Sequence, residues 1–167
     1  MSRRGSRARI LVDTSFLLPV LGYETSRRVM EAWPLLAGHE LHYSELSILE
    51  ALWKISKRLA ALDDEERVEA LKRVREGLDA IGSGMLRAET TPAAAEKALE
   101  MYIMGHKDMI DNLLYATAEE AGLLFLTVDN SLISFLKSHG LPADHVVTPE
   151  ELGSVARGTR RARERRL

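Results

Sequence analysis

Four carboxylates, Asp13, Glu50, Asp111 and Asp129, stand inside or at the ends of apolar runs. Asp13 ends the run Ile10-Leu11-Val12, and Asp129 follows the stretch from Leu123 to Val128. Asp111 opens Leu113-Leu114-Tyr115-Ala116, and Glu50 interrupts a helical stripe of Leu46, Leu49 and Trp53. A lone carboxylate in an apolar surround is costly and tends to give up its charge. Several together are tolerated when a divalent cation neutralises them. Hard oxygen donors select Mg²⁺ or Mn²⁺, and Mg²⁺ is commonly shared with phosphate oxygens. The residue types therefore point to metal-dependent chemistry on a phosphate ester.

Each acid also has a plainer reading. Asp13 suits a helix cap, and Asp129 suits a turn in Asp-Asn-Ser. Asp108 and Asp111 share a helix face, where an acidic first turn is favoured by the macrodipole. Glu50 is the hardest to explain without a partner, given its apolar helical neighbours. Other chemistries lack their residues. With no cysteine in the chain, disulfides and thiolate metal sites are excluded. There is no Gly-x-Ser-x-Gly elbow, and Gly82-Ser83-Gly84 lacks the lysine of a phosphate loop and reads as a linker. His39, His42, His106, His139 and His145 match no zinc spacing and stay unassigned. An aspartyl-phosphate enzyme of the haloacid-dehalogenase type wants an acid two residues after the first Asp, and Ser15 stands there.

The acids need elements to place them. Short apolar runs alternate with helical periodicity. Strands are expected over Arg9–Asp13, Glu40–Tyr43, Leu86–Thr90, Leu123–Val128 and His145–Thr148. Between them, helices are expected over Glu24–Ala37, from the Ser44 cap to Ala61, from Asp63 or Asp64 to Ile81, from Pro92 to Met104, from Asp108 to Gly122, and over Ser131–His139. Strands separated by helices imply right-handed βαβ units. The fold class is α/β, a central parallel sheet of about five strands with helices on both faces. Ligands of such sheets bind outside the carboxyl ends of the strands. Asp13 and Asp129 fall at such ends, Asp111 in the first turn of a helix, and Glu50 about two turns into another.

The stretches ILVDTSFLL, YSELSILEALWKI, DNLLYATAEEAGLLFLTVDNSL and HVVTPEEL together resemble the PIN-domain nucleases. Within that family they look most like the small ribonucleases typified by the VapC toxins. The most specific part is Asp111 followed by Ala-Thr-Ala, a glycine, an apolar strand and Thr-x-Asp. The likeness covers residues 9–152, with a basic N-terminal tail over 1–8 and a basic C-terminal tail over 153–167 that is expected to be disordered. It implies an endoribonuclease that cleaves RNA and binds one or two Mg²⁺ or Mn²⁺ ions through Asp13, Glu50, Asp111 and Asp129. It also implies support from Thr14, Ser15 and Thr127, with Asp108 as an additional acid. A small antitoxin partner and a homodimer are further implications. Trp33, Leu35 and Leu36 offer an apolar surface for dimerisation, although burial in the core is the commoner fate of such residues. A departure is the aromatic often found after the last Asp, replaced here by Leu132 and Ile133. An RNA-processing nuclease of the same fold and an inactive RNA-binding module are the alternatives.

At 167 residues a single domain is expected. No apolar h-region follows the basic start, and no run reaches the roughly 18 residues of a membrane span, so a cytoplasmic protein is expected. The net charge of −2 hides an asymmetry. Residues 1–9 carry four arginines, and residues 153–167 carry six with one glutamate, so the body between them carries −11. Basic ends on an acidic body suit contact with nucleic-acid phosphates or simply a solvated surface.

Glutamine is absent, and Asn112 and Asn130 are the only asparagines. Depletion of thermolabile residues beside abundant Glu and Arg fits selection at high temperature. The protein is expected to melt above the mesophile range of roughly 45–65 °C. A calorimetric midpoint inside that range would contradict the reading.

Overall fold

The computed structural model describes residues 7–153. Most of both basic tails therefore lies outside the described residues. The elements run β1 (Arg9–Val12), α1 (Thr14–Leu17), α2 (Arg27–Leu36), β2 (Glu40–Tyr43), α3 (Glu45–Leu59), α4 (Asp64–Gly84) and β3 (Leu86–Arg87). They continue with α5 (Pro92–Met104), α6 (Met109–Ala121), β4 (Leu124–Leu126), α7 (Asn130–Ser138) and β5 (Val146–Val147), before a helical turn over 149–153. The five strands form one parallel sheet in the order β3-β2-β1-β4-β5. The expected fold class and strand number hold.

Alternation along β1 builds two cores. Its three apolar residues, Ile10, Leu11 and Val12, are fully buried. Successive side chains point to opposite faces, so Ile10 and Val12 join Phe16, Leu17, Val29, Ala51, Ile55 and Val74 on one side. Leu11 joins Leu114, Tyr115, Phe125, Leu132 and Leu136 on the other. An unbroken apolar run after the exposed Arg9 is what a parallel sheet covered on both faces requires. The edge strands β3 and β5 span two residues each, which limits the open ladder that an edge exposes.

Several expectations are corrected. Helix α4 does not stop before Gly82-Ser83-Gly84 but runs through it to Gly84. The Ser83 hydroxyl donates back to the Asp79 carbonyl at 2.8 Å, so the triplet is helical rather than a linker. The third strand covers Leu86–Arg87, not Leu86–Thr90, and both its residues are exposed. The buried face of α3 is Ser47, Ala51 and Ile55, not the stripe of Leu46, Leu49 and Trp53. Leu49 is 44% and Trp53 58% exposed, so Glu50 borders the surface instead of sinking into apolar packing. Of the apolar set in α2, Leu36 is buried and Trp33 packs against the core, leaving Leu35 exposed. Among the described residues no helix is long and apolar enough to cross a membrane.

Gly77, in the middle of α4, allows a close approach. A Cβ there would lie 2.4 Å from the Val20 carbonyl oxygen and 2.8 Å from the Leu21 Cα. Both are backbone atoms, so the α4 axis would have to move. Gly82, in the same helix, faces open space. We expect Gly77→Ala to cost about 1–3 kcal/mol through overpacking. Gly82→Ala should gain about 0.5–1 kcal/mol of helix stability. Urea unfolding of both variants checks the contrast, and equal effects would mean that the approach of α4 is not tight.

Candidate metal centre

The sheet order places the candidate acids. From β1 the chain moves to β2 on one side, while β4 and β5 extend the sheet on the other. The strand order reverses between β1 and β4, where an open α/β sheet leaves a crevice at the carboxyl ends. Register pairs Val12 with Leu126, so Asp13 and Thr127 emerge side by side. The Asp13 N–H donates to the Leu126 carbonyl at 3.0 Å. The Thr127 hydroxyl donates to Asp13 Oδ2, also at 3.0 Å. The same hydroxyl oxygen accepts the Asp129 N–H at 3.0 Å. Thr127 is fully buried, and it ties the first acid to the last.

Asp13 caps α1 and accepts the Thr14 N–H at 2.5 Å. The Ser15 hydroxyl approaches its Oδ2 at 3.4 Å. Asp129 caps α7, accepting from the Ser131 and Leu132 N–H groups at 2.7 and 3.3 Å. Asp108 caps α6, accepting from Ile110 and Asp111 at 3.0 and 3.1 Å. The capping readings of Asp13 and Asp108 are therefore realised, and Asp129, expected as a turn residue, caps α7 as well. For Asp13 and Asp129 the cap also holds a carboxylate at the crevice. Asp111, in the first turn of α6, is buried beside them.

Glu50 comes from α3. Its Oε2 accepts the Thr14 hydroxyl at 2.5 Å, and its Oε1 pairs with Lys54 Nζ at 2.6 Å. Both oxygens are thus engaged. A tighter grouping forms without it: Asp111, Asp129 and a ring nitrogen of His106 offer ligand atoms that all lie within 4.8 Å of one another. Among the described residues neither Asp13 nor Glu50 belongs to that trio. His106 escaped the sequence reading because a single loop histidine five residues before Asp111 has no partner at a recognisable spacing.

The electrostatics follow from burial and crowding. Burial pushes the Asp13 carboxyl up to about 6 from 3.8, with Glu50 adding to the rise and Thr127, Thr14 and Lys54 opposing it. Burial also raises Asp111 well above the carboxylate range, reinforced by its hydrogen bond to Asp129 and by the charges of Asp13, Asp108 and Asp129. Asp129 is itself penalised by burial. The hydrogen bond from Asp111, the Ser131 and Leu132 N–H groups and His106 outweigh that and hold it below its usual value. Burial and crowding thus favour a proton on Asp111, hydrogen-bonded to Asp129. No Lys or Arg among the described residues forms an ion pair with Asp13, Asp111 or Asp129. The carboxylate and imidazole donors fit a divalent cation, which would replace that proton.

The metal-free fold should weaken as this proton load is lost. Folded Asp13 keeps its proton up to about pH 6, whereas the unfolded chain releases it near 3.8. The folded state is the better proton binder in that window, so stability falls as pH rises from about 4 to about 6, by about 3 kcal/mol at most. Asp111 extends the loss to higher pH. Asp111→Asn should raise the metal-free melting point at pH 8 by about 2–6 °C and abolish any rise produced by Mn²⁺. Thermal unfolding in EDTA checks this, and a variant less stable than wild type at pH 8 would contradict it.

The PIN domain family model matches residues 10–135. A comparison with curated proteins finds no relative. Several solved structures share the fold. The chain is similar to a protein of a toxin–antitoxin complex from Klebsiella pneumoniae, with TM-score 0.58 and 16% identity, over 84% of this chain and 97% of that one. It is similar to a chain of FitAcB from Neisseria gonorrhoeae, with TM-score 0.56 and 18% identity, over 84% and 97%. A third likeness is to VapC20, a sarcin-ricin loop cleaving toxin from Mycobacterium tuberculosis, with TM-score 0.54 and 18% identity, over 75% and 93%. With the family model spanning most of the sequence and the strand order and acids arranged as described, this chain belongs to the PIN-domain family.

Proposed function

We propose that the protein is a metal-dependent endoribonuclease that hydrolyses RNA phosphodiester bonds, and that it is the toxin of a toxin–antitoxin pair. The observation that carries the reading is the convergence of Asp13, Asp111 and Asp129 on one crevice with no cationic side chain among the described residues paired to them. Buried carboxylates cost stability, and their retention at a sheet switch point makes sense as a cation site. Asp13, Asp111 and Asp129 would hold Mg²⁺ or Mn²⁺, and Glu50, which accepts from Thr14 and pairs with Lys54, would complete the cluster. A bound divalent ion supplies an activated water and relief of the charge on the phosphate. Thr127 holds the Asp13 carboxylate at a fixed angle, and the Ser131 and Leu132 N–H groups do the same for Asp129.

The toxin role is supported by the company the fold keeps, since one similar structure is of a toxin–antitoxin complex and another is of a toxin that cleaves the sarcin-ricin loop. A protein partner is also in keeping with an open apolar groove of about 410 Å³ between α3 and α4, lined by Tyr43, Ile48, Leu49, Leu52, Leu78 and Ile81. On this reading the partner is a small antitoxin, the active species is a homodimer, and both act in the cytoplasm.

The test is cleavage of a mixed cellular RNA pool with Mg²⁺ or Mn²⁺, by wild type, by wild type in EDTA and by Asp13→Asn. Even outer partners of metal ligands are worth about 10- to 100-fold in activity. Asp13→Asn should therefore lose more than about a hundredfold, and EDTA should abolish cleavage. Full activity in either control removes the acid cluster from the chemistry.

A further inference from the structure

We propose that His106 is a nitrogen ligand of the same ion and makes the centre selective for a first-row transition ion such as Mn²⁺ over Mg²⁺. The inference rests on the metal-centre reading above and concerns a residue outside its acid set.

The backbone that carries His106 is fixed. It follows Gly105, whose φ of 123° lies in the region open mainly to glycine. The His106 N–H donates to the Met101 carbonyl at 3.1 Å, closing α5. The ring is buried, tilted against Phe135 of α7 with centroids 5.1 Å apart. One ring nitrogen, Nδ1, lies 2.7 Å from the Asn112 Oδ1. Asn112 is fully buried, and its Nδ2 donates to the His106 and Ala98 carbonyls at 2.8 and 3.4 Å. Those two contacts fix the amide orientation, so Oδ1 is an acceptor and Nδ1 must carry the hydrogen. The lone pair of the neutral ring is then on Nε2.

This is the arrangement a ligating histidine needs, with the far nitrogen donating to a fixed acceptor that sets tautomer and ring angle. The trio spacing agrees with it. Ion–ligand bonds of about 2.1 Å place neighbouring ligand atoms about 3–4 Å apart, and the ligand atoms of Asp111, Asp129 and His106 all lie within 4.8 Å of one another. Three oxygens alone would suit Mg²⁺. An imidazole beside them moves the preference toward ions that accept nitrogen, in the order Mn²⁺ below Co²⁺ and Ni²⁺. A hydrogen-bonding role for His106 toward Asp129 would leave the selectivity unchanged, and that difference is measurable.

The experiment loads the full-length protein with Mn²⁺ and records its electron spin-echo modulation, then compares Mn²⁺ and Mg²⁺ affinities calorimetrically for wild type and His106→Gln. Gln keeps an amide able to hydrogen-bond a carboxylate but removes the imidazole. Wild type should show ¹⁴N coupling to Mn²⁺, and His106→Gln should lose it. Mn²⁺ affinity should fall at least about tenfold in the variant, with Mg²⁺ affinity changing much less. Bound Mn²⁺ without ¹⁴N coupling in wild type overturns the proposal while leaving the acid site standing. Equal loss of both ions in a folded variant also overturns it. A wild type that binds neither ion sinks the metal centre itself. The wild-type spectrum decides the matter even if the variant fails to fold.

Discussion

Asp111 and Asp129 can occupy one crevice only if something positive lies between them. Like charges this close, half out of water, cannot both be ionised without a large penalty. In the metal-free protein the arrangement favours a proton on Asp111, hydrogen-bonded to Asp129, which has the better hydrogen-bond donors. Neither side chain has an easy way out. The Asp129 oxygen accepts two N–H groups at the start of α7, while the Asp111 backbone is tied to Asp108 at the start of α6. The helix starts that hold the acids also supply the local positive dipole that tolerates them. The site is thus assembled at a cost in stability, as strained functional sites generally are.

A single hydroxyl carries the connection across the sheet. Thr127 Oγ1 has one hydrogen to give, which goes to Asp13, and a lone pair that takes the Asp129 N–H. The position of Asp13 relative to Asp129 therefore follows from the β1–β4 register, and the crevice cannot widen without breaking one of these bonds. Thr14 plays the matching part on the other side, linking the start of α1 to Glu50 of α3. Small buried residues make that link short, since α3 faces inward with Ser47 and Ala51.

The sheet and most caps were legible because their signals are local. Ser44, Asp63 and Asp108 all cap helices, and Gly122 ends α6 in the left-handed conformation. The misreadings share a cause. Leu49 and Trp53 looked like a core stripe because apolar residues at helical spacing cannot show which face meets the sheet. The true contact face includes Ser47, a polar residue that periodicity ignores. Gly82-Ser83-Gly84 looked like a break because glycine propensity was weighed without the Ser83 hydroxyl that bonds back into the helix. For the acids, type and strand-end position were readable. Their grouping was not: the tight trio includes His106, which reaches Asp111 and Asp129 through a tertiary fold and an Asn112 bond that no sequence spacing encodes.

An acidic crevice in a body of charge −11 repels a polyanion, so an RNA strand needs cations near the carboxylates. The fold places them beside Glu50. Lys54, Lys57 and Arg58 share one side of α3 and line, with Leu18, Tyr23 and Ile55, a cavity of about 290 Å³. Lys54 is paired to Glu50, and the Arg58 guanidinium sits 5.6 Å from the centre of the Tyr23 ring. Other cations near the strands are committed elsewhere. Arg9 pairs with Glu40 at 3.3 Å, and Lys107 donates to the Tyr102 carbonyl at 2.8 Å while lying over its ring. Arg28 pairs with Glu150 and reaches the Val128 carbonyl at 3.5 Å, while the cations lining the cavity beside Glu50 lie on one face of α3. On the nuclease reading this gives the crevice a direction. A phosphate backbone would find the α3 cations on the Glu50 side of it.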